Sequence, residues 1–181
     1  MWSAQNLLIE HGIRIGAVNI PGRHFFMHPK DTHGILMEWT DDTFGANVRR
    51  PSEGGGAVDV STLAWITAVV TDAEATAAML GDLAGGTEVT DNVRGPASEE
   101  VTVDVLVGDV TIRLVTPTSA DSRYAGVENT PRLSSFTLRV DDLPATLEAL
   151  AGAGVPTTHR QEGLAATDPA STFGLPIEWA S

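Results

Sequence analysis

The sequence predicts an α+β protein built from repeated units, each with one strand, one helix and three further strands. Residues 28–39 and 168–179 align without a gap, with Pro, Thr, Gly, Glu and Trp at matching positions. Helical and strand-like patterns also follow one another in the same order three times along the chain. A segment that recurs in this way indicates that a structural unit has been duplicated.

The first unit, residues 1–41, lacks the opening strand of the other two. A helix is expected over residues 4–11 and ends at Gly12, because glycine readily takes the left-handed conformation that closes a helix. Strands should follow at 14–18, 24–27 and 34–39, with His24 as a strand position rather than a base. Residues 42–61 contain three consecutive glycines and are predicted to be a linker.

The second and third units, residues 62–119 and 132–181, are predicted to be complete. Asp72 caps the first helix, and Asp141 or Asp142 caps the second, whose first turn Pro144 fits. Gly108 with Asp109 forms a hairpin turn. Residues 124–132 are expected only to connect the units. The helices should end near residues 83 and 151. The expected strands are 63–70, 87–90, 100–107, 110–116, 133–140, 155–159, 164–167 and 174–179.

Pairing of the units follows from the need to bury apolar surface. A four-stranded sheet with one helix covers only one of its faces, so two such units must join to close a core. Units two and three can pair with each other, which leaves unit one without a mate. A second copy of the chain, or the missing half of a longer protein, would then complete it. The sequence therefore predicts a homodimer.

Composition narrows the classes of partner. The net charge of −13 disfavours binding to nucleic acid, whose phosphates would be repelled. No apolar run reaches the ~18 residues of a membrane span, and no secretory signal is recognisable at the N-terminus, so a cytoplasmic location without a membrane partner is expected. There are no cysteines, which leaves His, Asp and Glu as candidate metal ligands. Small molecules and proteins remain as partners.

Two motifs resemble a known superfamily. The segment HPKDTHGILME at His28–Glu38, preceded by HGI at His11–Ile13, is similar to the closing part of methylmalonyl-CoA epimerases. The segment RVDDLPATLEALAGAGV at Arg139–Val155 is similar to the opening of a unit in the vicinal oxygen chelate superfamily. That superfamily includes glyoxalase I, bleomycin resistance proteins and extradiol dioxygenases. The resemblance implies paired units that form a curved, cup-shaped mixed sheet with helices outside.

The resemblance also implies a divalent metal held by the first and last strands of paired units. Glu38 and Glu178 match the last-strand glutamates and are the candidate catalytic residues, with Glu38 also the candidate metal ligand. Trp65, Arg113 and Ser135 stand at the other three ligand positions of units two and three. An indole N–H and a guanidinium cannot ligate a cation, so this cup should hold no metal. Arg113 is instead expected to pair with Glu178. A divalent metal is expected only in a site assembled with another chain or a missing half.

Alternation along two strands suggests a ligand-binding face, because every second side chain of a strand points to the same side. Its candidate ligand-binding residues from these strands are Trp65, Thr67, Ser135, Thr137 and Arg139. Arg113 joins them as a candidate, because the resemblance places it in the same cup. Three functions stay open. The protein could be a metal-assisted isomerase, epimerase or lyase of a small carbonyl or acyl-CoA compound, with a site completed by another chain. It could bind a small molecule without metal, or units two and three could be a degenerate half that supports dimerisation.

Overall fold

The computed structural model describes residues 2–20, 23–40, 58–89, 99–126 and 132–181. These residues form a three-stranded sheet from the first unit and an eight-stranded sheet from the other two. The large sheet is curved and open, and few helices accompany it in the described chain. This confirms the predicted α+β fold class. In the part of the chain that is described, no helix is both long and apolar enough to cross a bilayer.

The first unit contains helix α1 (Trp2–Glu10), strands β1 (Ile15–Ile20), β2 (His24–Met27) and β3 (Glu38–Thr40), and a short 3-10 helix at Pro29–Asp31. The strands lie in the order β1-β2-β3, and every pairing between them is antiparallel. Leu8, Phe25 and Met27 form one buried cluster that also includes Leu83 of the second unit. The small sheet therefore packs against the outside of the second unit.

The second unit contains β4 (Thr62–Val69), α2 (Ala73–Ala84), β5 (Thr87–Val89), β6 (Glu100–Val107) and β7 (Val110–Pro117). Helix α2 begins after Asp72, whose carboxylate accepts a hydrogen bond from the Ala75 N–H at 2.9 Å. It ends at Gly85, whose φ of 66° lies in the left-handed region that glycine adopts without steric cost.

The third unit contains β8 (Arg132–Arg139), α3 (Leu143–Gly152), β9 (Thr157–Gln161), β10 (Leu164–Thr167) and β11 (Ile177–Ala180), with a 3-10 helix at Pro169–Thr172. Helix α3 repeats the start of α2, since Asp142 accepts a hydrogen bond from the Ala145 N–H at 2.9 Å. Both helix starts agree with the sequence-based expectation of an aspartate cap.

The eight strands lie in the order β5-β6-β7-β4-β8-β11-β10-β9. The first strand of each unit, β4 or β8, pairs in parallel with the last strand of the same unit, β7 or β11. These two first strands meet antiparallel at the centre of the sheet. The helices cover one face, where Ala68, Val105 and Leu114 pack with Ala77 and Leu80 of α2. The residues that precede these three strand residues in sequence, Thr67, Asp104 and Arg113, point to the opposite, concave face of the sheet.

The two aligned segments fold alike. In the unit-one turn, residues 32–35, the Gly34 N–H donates to the Pro29 carbonyl at 2.7 Å; in the unit-three turn, residues 172–175, Gly174 donates to Pro169 at 2.7 Å. His33 and Phe173 both take a left-handed conformation, with φ of 51° and 56°. Because these turns bend the chain, the last strands begin at Glu38 and Ile177, later than the residue 34 and 174 starts predicted from sequence.

Candidate functional site

A buried ion pair lies on the concave face of units two and three. Arg113 on β7 donates from Nε and Nη2 to the two carboxylate oxygens of Asp104 on β6, both at 2.8 Å. The guanidinium also stacks on the Trp65 ring, 3.9 Å from its centroid. All three side chains are buried. A two-pronged contact of this kind satisfies both charges in a place where water cannot.

A second charged cluster surrounds Glu178 on β11. One carboxylate oxygen accepts a hydrogen bond from Arg123 at 2.6 Å, and the other accepts from Ser135 at 3.3 Å and Thr137 at 3.2 Å. The Glu178 side chain is only 6% exposed, whereas that of Arg123 is 38% exposed. Glu178 is therefore held by three donors on its own concave face, and the outermost of them is Arg123.

Arg123 belongs to a segment that returns across the sheet, and residues 118–126 are called the strap. Its start is tied down by main-chain hydrogen bonds from Thr118 and Ser119 to the Glu99 carbonyl, at 2.8 and 3.2 Å. Tyr124 then packs against Val69 and Val115. The strap thus lies over the same concave face that carries the two charged pairs.

The strap places titratable groups in an environment poor in water. Burial raises the pKa of Tyr124 to about 12, because the ionised phenolate is harder to solvate than the phenol. Burial alone lowers the pKa of Arg123, but its interactions with Tyr124, Glu178 and Glu100 outweigh that effect and raise it. Both residues therefore keep their protonated forms at neutral pH.

Three buried polar atoms around this face have no hydrogen-bond partner within the described structure. They are Trp65 Nε1, Thr67 Oγ1 and the Tyr124 hydroxyl oxygen. Trp65 and Thr67 are alternate residues of β4, followed on the same side by Val69, which Tyr124 contacts. All three groups can donate a hydrogen bond. The concave face therefore presents unused donors beside charges that are already paired.

A separate polar contact lies in the first unit. His24 on β2 contacts the Glu38 carboxylate on β3 through Nε2. The His24 side chain is buried, and that of Glu38 is 42% exposed. His24 was expected to serve only as a strand position, and the structure adds this contact. Two of the ligand types that zinc-like metals use thus lie side by side.

The residues present do not fit a divalent metal in the cup of units two and three. The positions that the superfamily uses for ligands carry Trp65, Arg113, Ser135 and Glu178, and two guanidinium cations lie within the cluster. Throughout the described residues, no group of three or more His, Asp or Glu side chains could hold a metal. Glu38 and His24 supply two donors, so a metal there would need further ligands from outside the described chain.

The structure brings together most of the site residues proposed from sequence. Trp65, Thr67, Arg113, Ser135, Thr137 and Glu178 lie on one buried face. Arg139 lies apart: it is exposed, and its guanidinium donates to the Ser181 carbonyl at 3.0 Å. The expected pairing of Arg113 with Glu178 differs from what is seen, because Asp104 and Arg123 are their respective partners.

Sequence reasoning missed Asp104, Arg123 and Tyr124. Asp104 could have been found, since a two-residue turn at 108–109 sets the hairpin register and places Asp104 opposite Arg113. Arg123 and Tyr124 carry no such signal, because the path of the strap over the sheet depends on contacts far apart in sequence. The assignment of residues 124–132 as a simple connection did not anticipate that role.

Comparison with known proteins agrees with this architecture. Residues 66–171, more than half of the chain, match the family model of the Glyoxalase/Bleomycin resistance protein/Dioxygenase superfamily. No curated protein sequence matches significantly.

Solved structures similar to this one include methylmalonyl-CoA epimerase from Mycobacterium tuberculosis, with a TM-score of 0.62 and 19% identity over 71% of this chain and 92% of the other. A hypothetical protein from Bacillus halodurans has a TM-score of 0.58 and 16% identity, over 66% of this chain and 92% of the other. A methylmalonyl-CoA epimerase from Streptomyces coelicolor in complex with 2-nitronate-propionyl-CoA has a TM-score of 0.57 and 16% identity, over 67% of this chain and 96% of the other. At these identities the similarity establishes the fold alone. The family match together with this fold shows that the chain belongs to the glyoxalase, bleomycin resistance protein and dioxygenase superfamily.

Proposed function

We propose that the concave face of residues 62–181 binds a small organic molecule without a metal ion. The observation that carries this proposal is the set of three buried donors, on Trp65, Thr67 and Tyr124, that lack an acceptor. A buried donor without a partner costs about 1–3 kcal/mol. A ligand that supplies acceptors would recover part of that cost, so the site favours molecules with carbonyl or similar oxygen atoms.

The paired charges restrict the ligand further. Asp104 neutralises Arg113 and Glu178 neutralises Arg123, so both cations of the cluster are already compensated, and Glu100 close to Arg123 adds a further negative charge. An uncharged acceptor such as a ketone or thioester carbonyl matches this better than a free dianion does. The Streptomyces coelicolor epimerase is described in complex with an acyl-CoA compound, which makes acyl thioesters a reasonable first class to test. Entry of the ligand requires the strap to move, because its own Tyr124 packs onto Val69 and Val115 and covers part of the face.

Isothermal titration calorimetry in the presence of a chelator tests this proposal. The ligands would be a panel of acyl-CoA thioesters, small ketones and the corresponding free acids. Binding should be saturable with chelator present and weaken roughly tenfold in Thr67→Val, which removes one donor. Thr40→Val, an exposed change of the same kind on β3, is the matched control. A binding reaction that disappears with the chelator and returns with a divalent metal would refute the proposal.

A second candidate function rests on the contact between His24 and Glu38. These two side chains, with further ligands from another chain or a missing half, would form the metal site of an isomerase, epimerase or lyase. A bound divalent metal would supply Lewis-acid polarisation of a substrate carbonyl. In this reading Glu38 is a metal ligand and a candidate catalytic carboxylate. Glu178, its equivalent in unit three, is the second candidate carboxylate for proton transfer.

Two measurements separate these functions. Elemental analysis of the purified protein should find a stoichiometric divalent metal that is lost in Glu38→Gln and retained in Glu178→Gln if the second candidate is correct. An epimerase should also exchange the proton next to the substrate carbonyl for deuterium, which NMR detects. Metal content unaffected by Glu38→Gln, or ligand binding without any exchange, would contradict the enzymatic reading.

A further inference from the structure

We propose that the strap is a lid over the concave face, held shut by the ion pair between Arg123 and Glu178. A ligand enters when that pair opens, and the strap then closes against the ligand with the pair restored. The lid regulates the ligand site proposed above and rests on that proposed function. Three observations support it: the strap is fastened differently at its two ends, Arg123 connects the ion pair to Tyr124, and the closed face leaves donors unpaired.

The two ends of the strap are fastened by different kinds of contact. Its start is fixed to the Glu99 carbonyl by the main-chain N–H groups of Thr118 and Ser119. Further along, the Ser122 N–H donates to the Ser119 carbonyl at 3.2 Å, and the Ala125 N–H donates to the Ser122 carbonyl at 2.9 Å. Within the described residues, the far half of the strap is therefore held to the sheet by side chains. Such a segment can open locally without breaking any strand pairing.

Arg123 is the central side-chain contact of this far half. It donates to Glu178 at 2.6 Å, and its guanidinium lies over the Tyr124 ring, 4.6 Å from the ring centroid. The Ser122 hydroxyl adds a weaker hydrogen bond to Glu100 at 3.2 Å. Because the Arg123 side chain is 38% exposed, water can replace its partner, which is not so for the enclosed ion pair between β6 and β7. Loss of this one ion pair would also loosen Tyr124.

The closed face is left with an unmet need for acceptors. The Tyr124 hydroxyl belongs to the lid, whereas Trp65 Nε1 and Thr67 Oγ1 belong to the sheet beneath it, and none of the three has a partner. Closing the free protein therefore removes these groups from water without pairing them, which weakens the closed state. A ligand oxygen between lid and sheet can accept from both sides. The lid should accordingly open readily in the free protein and close firmly over a ligand.

Amide hydrogen exchange, followed by mass spectrometry, tests the lid in the free protein without any ligand. A peptide that covers residues 118–126 should exchange about tenfold faster in Arg123→Gln than in the wild type, because the variant removes the charged contact that opposes opening. Ser122→Ala should act in the same direction, and it leaves the Glu178 ion pair in place. Arg14→Gln is the matched control, since it breaks an ion pair with Asp31 in unit one, and it should leave strap exchange unchanged.

Stopped-flow binding of propionyl-CoA, followed by tryptophan fluorescence, tests the lid in the presence of a ligand. Arg123→Gln should raise the association and dissociation rate constants together, each about tenfold, because a lid controls entry and exit alike. The dissociation constant should then change less than about threefold. Tyr124→Phe keeps the ring and the ion pair and removes only the hydroxyl. It should raise the dissociation rate constant alone.

Four outcomes decide between a lid and a fixed part of the fold. Strap exchange equal to the wild type in both Arg123→Gln and Ser122→Ala would overturn the proposal. Exchange of helix α3 that rises as much as that of the strap in both variants would also overturn it, since strap and sheet would then unfold together. Faster dissociation alone in Arg123→Gln would make Arg123 a direct ligand contact. Faster strap exchange without any binding of propionyl-CoA would support the lid and refute the proposed thioester class.

Discussion

Replacing Thr67 and Thr137 separately by valine should change the stability of the protein in opposite directions. The two threonines lie on the neighbouring central strands β4 and β8, and both are completely buried. The Thr137 hydroxyl donates to Glu178 at 3.2 Å, whereas the Thr67 hydroxyl has no partner. Valine keeps the shape of threonine and removes only the hydroxyl. The same chemical change therefore tests two different environments.

The expected magnitudes follow from these contacts. Thr67→Val removes an unsatisfied buried group and should raise the free energy of unfolding by about 1 kcal/mol. Thr137→Val removes a hydrogen bond to a charged acceptor and should lower it by about 2 kcal/mol. For a chain of this length, a difference of about 3 kcal/mol corresponds to roughly 6–12 °C between the two melting temperatures. Urea unfolding and differential scanning calorimetry would measure both variants against the wild type without added ligand.

The sign of each change is the critical result. If Thr67→Val is destabilised as much as Thr137→Val, the Thr67 hydroxyl has a hydrogen-bond partner in the free protein. The proposed ligand site would then lose one of the unpaired donors on which it depends. If Thr137→Val is neutral, Glu178 is held by Arg123 and Ser135 alone. A stabilised Thr67→Val that also binds ligand more weakly would support the binding site by two independent measurements.

Further predictions concern the ion pair, the strap and the packing of α2. Asp104→Asn should lower the free energy of unfolding by about 3 kcal/mol or more, because it removes the carboxylate that pairs with the buried Arg113. Adding Arg113→Met to this variant should recover part of the loss, as measured by urea unfolding. Tyr124 is the only tyrosine, so absorbance at alkaline pH should follow its phenol alone. Its pKa in the folded protein is about 12, above the ordinary value near 10. The free energy of unfolding should therefore fall as the pH rises from 10 towards 12, because the unfolded chain loses this proton first. A native titration at the ordinary value would place the ring in solvent. Gly86→Ala should destabilise by about 1–3 kcal/mol, since the new methyl would lie 2.7 Å from a valine side chain, while Gly152→Ala, with open space around it, is its control.

The fold was readable from local signals because each one acts over a few residues. Aspartate caps, a glycine after a helix and alternating apolar residues each constrain a short segment, and the repeated order of such segments identified the units. The pairing of units two and three then follows from the need to cover a sheet face, whereas the strand order was not predicted. The starts of β3 and β11 were wrong by several residues. The left-handed conformations of His33 and Phe173 caused that error, because phenylalanine does not signal such a turn and a single histidine signals it only weakly.

The site was harder to predict because strand parity places a side chain on a face and does not choose its partner. Parity correctly grouped Thr67, Arg113, Ser135 and Glu178. It could not decide whether Arg113 would turn towards Glu178 or towards Asp104. The hairpin register does decide this, since it brings Asp104 directly across from Arg113, and a cross-strand neighbour is closer than one three strands away. Glu178 was then left for a cation from the strap, whose path no local pattern encodes.

Glu38 and Glu178 show why a repeated motif does not carry one chemistry. Both follow the same turn and occupy matching positions of the two aligned segments, 28–39 and 168–179. Strand β11 pairs in parallel with β8, so Glu178 meets the hydroxyls of Ser135 and Thr137 and is 6% exposed. Within the described residues β3 pairs only with β2, so Glu38 meets His24 and is 42% exposed. The motif determines the turn and the strand that follows, whereas the neighbouring strand determines whether the carboxylate is enclosed in an ion pair or left available to a metal or substrate.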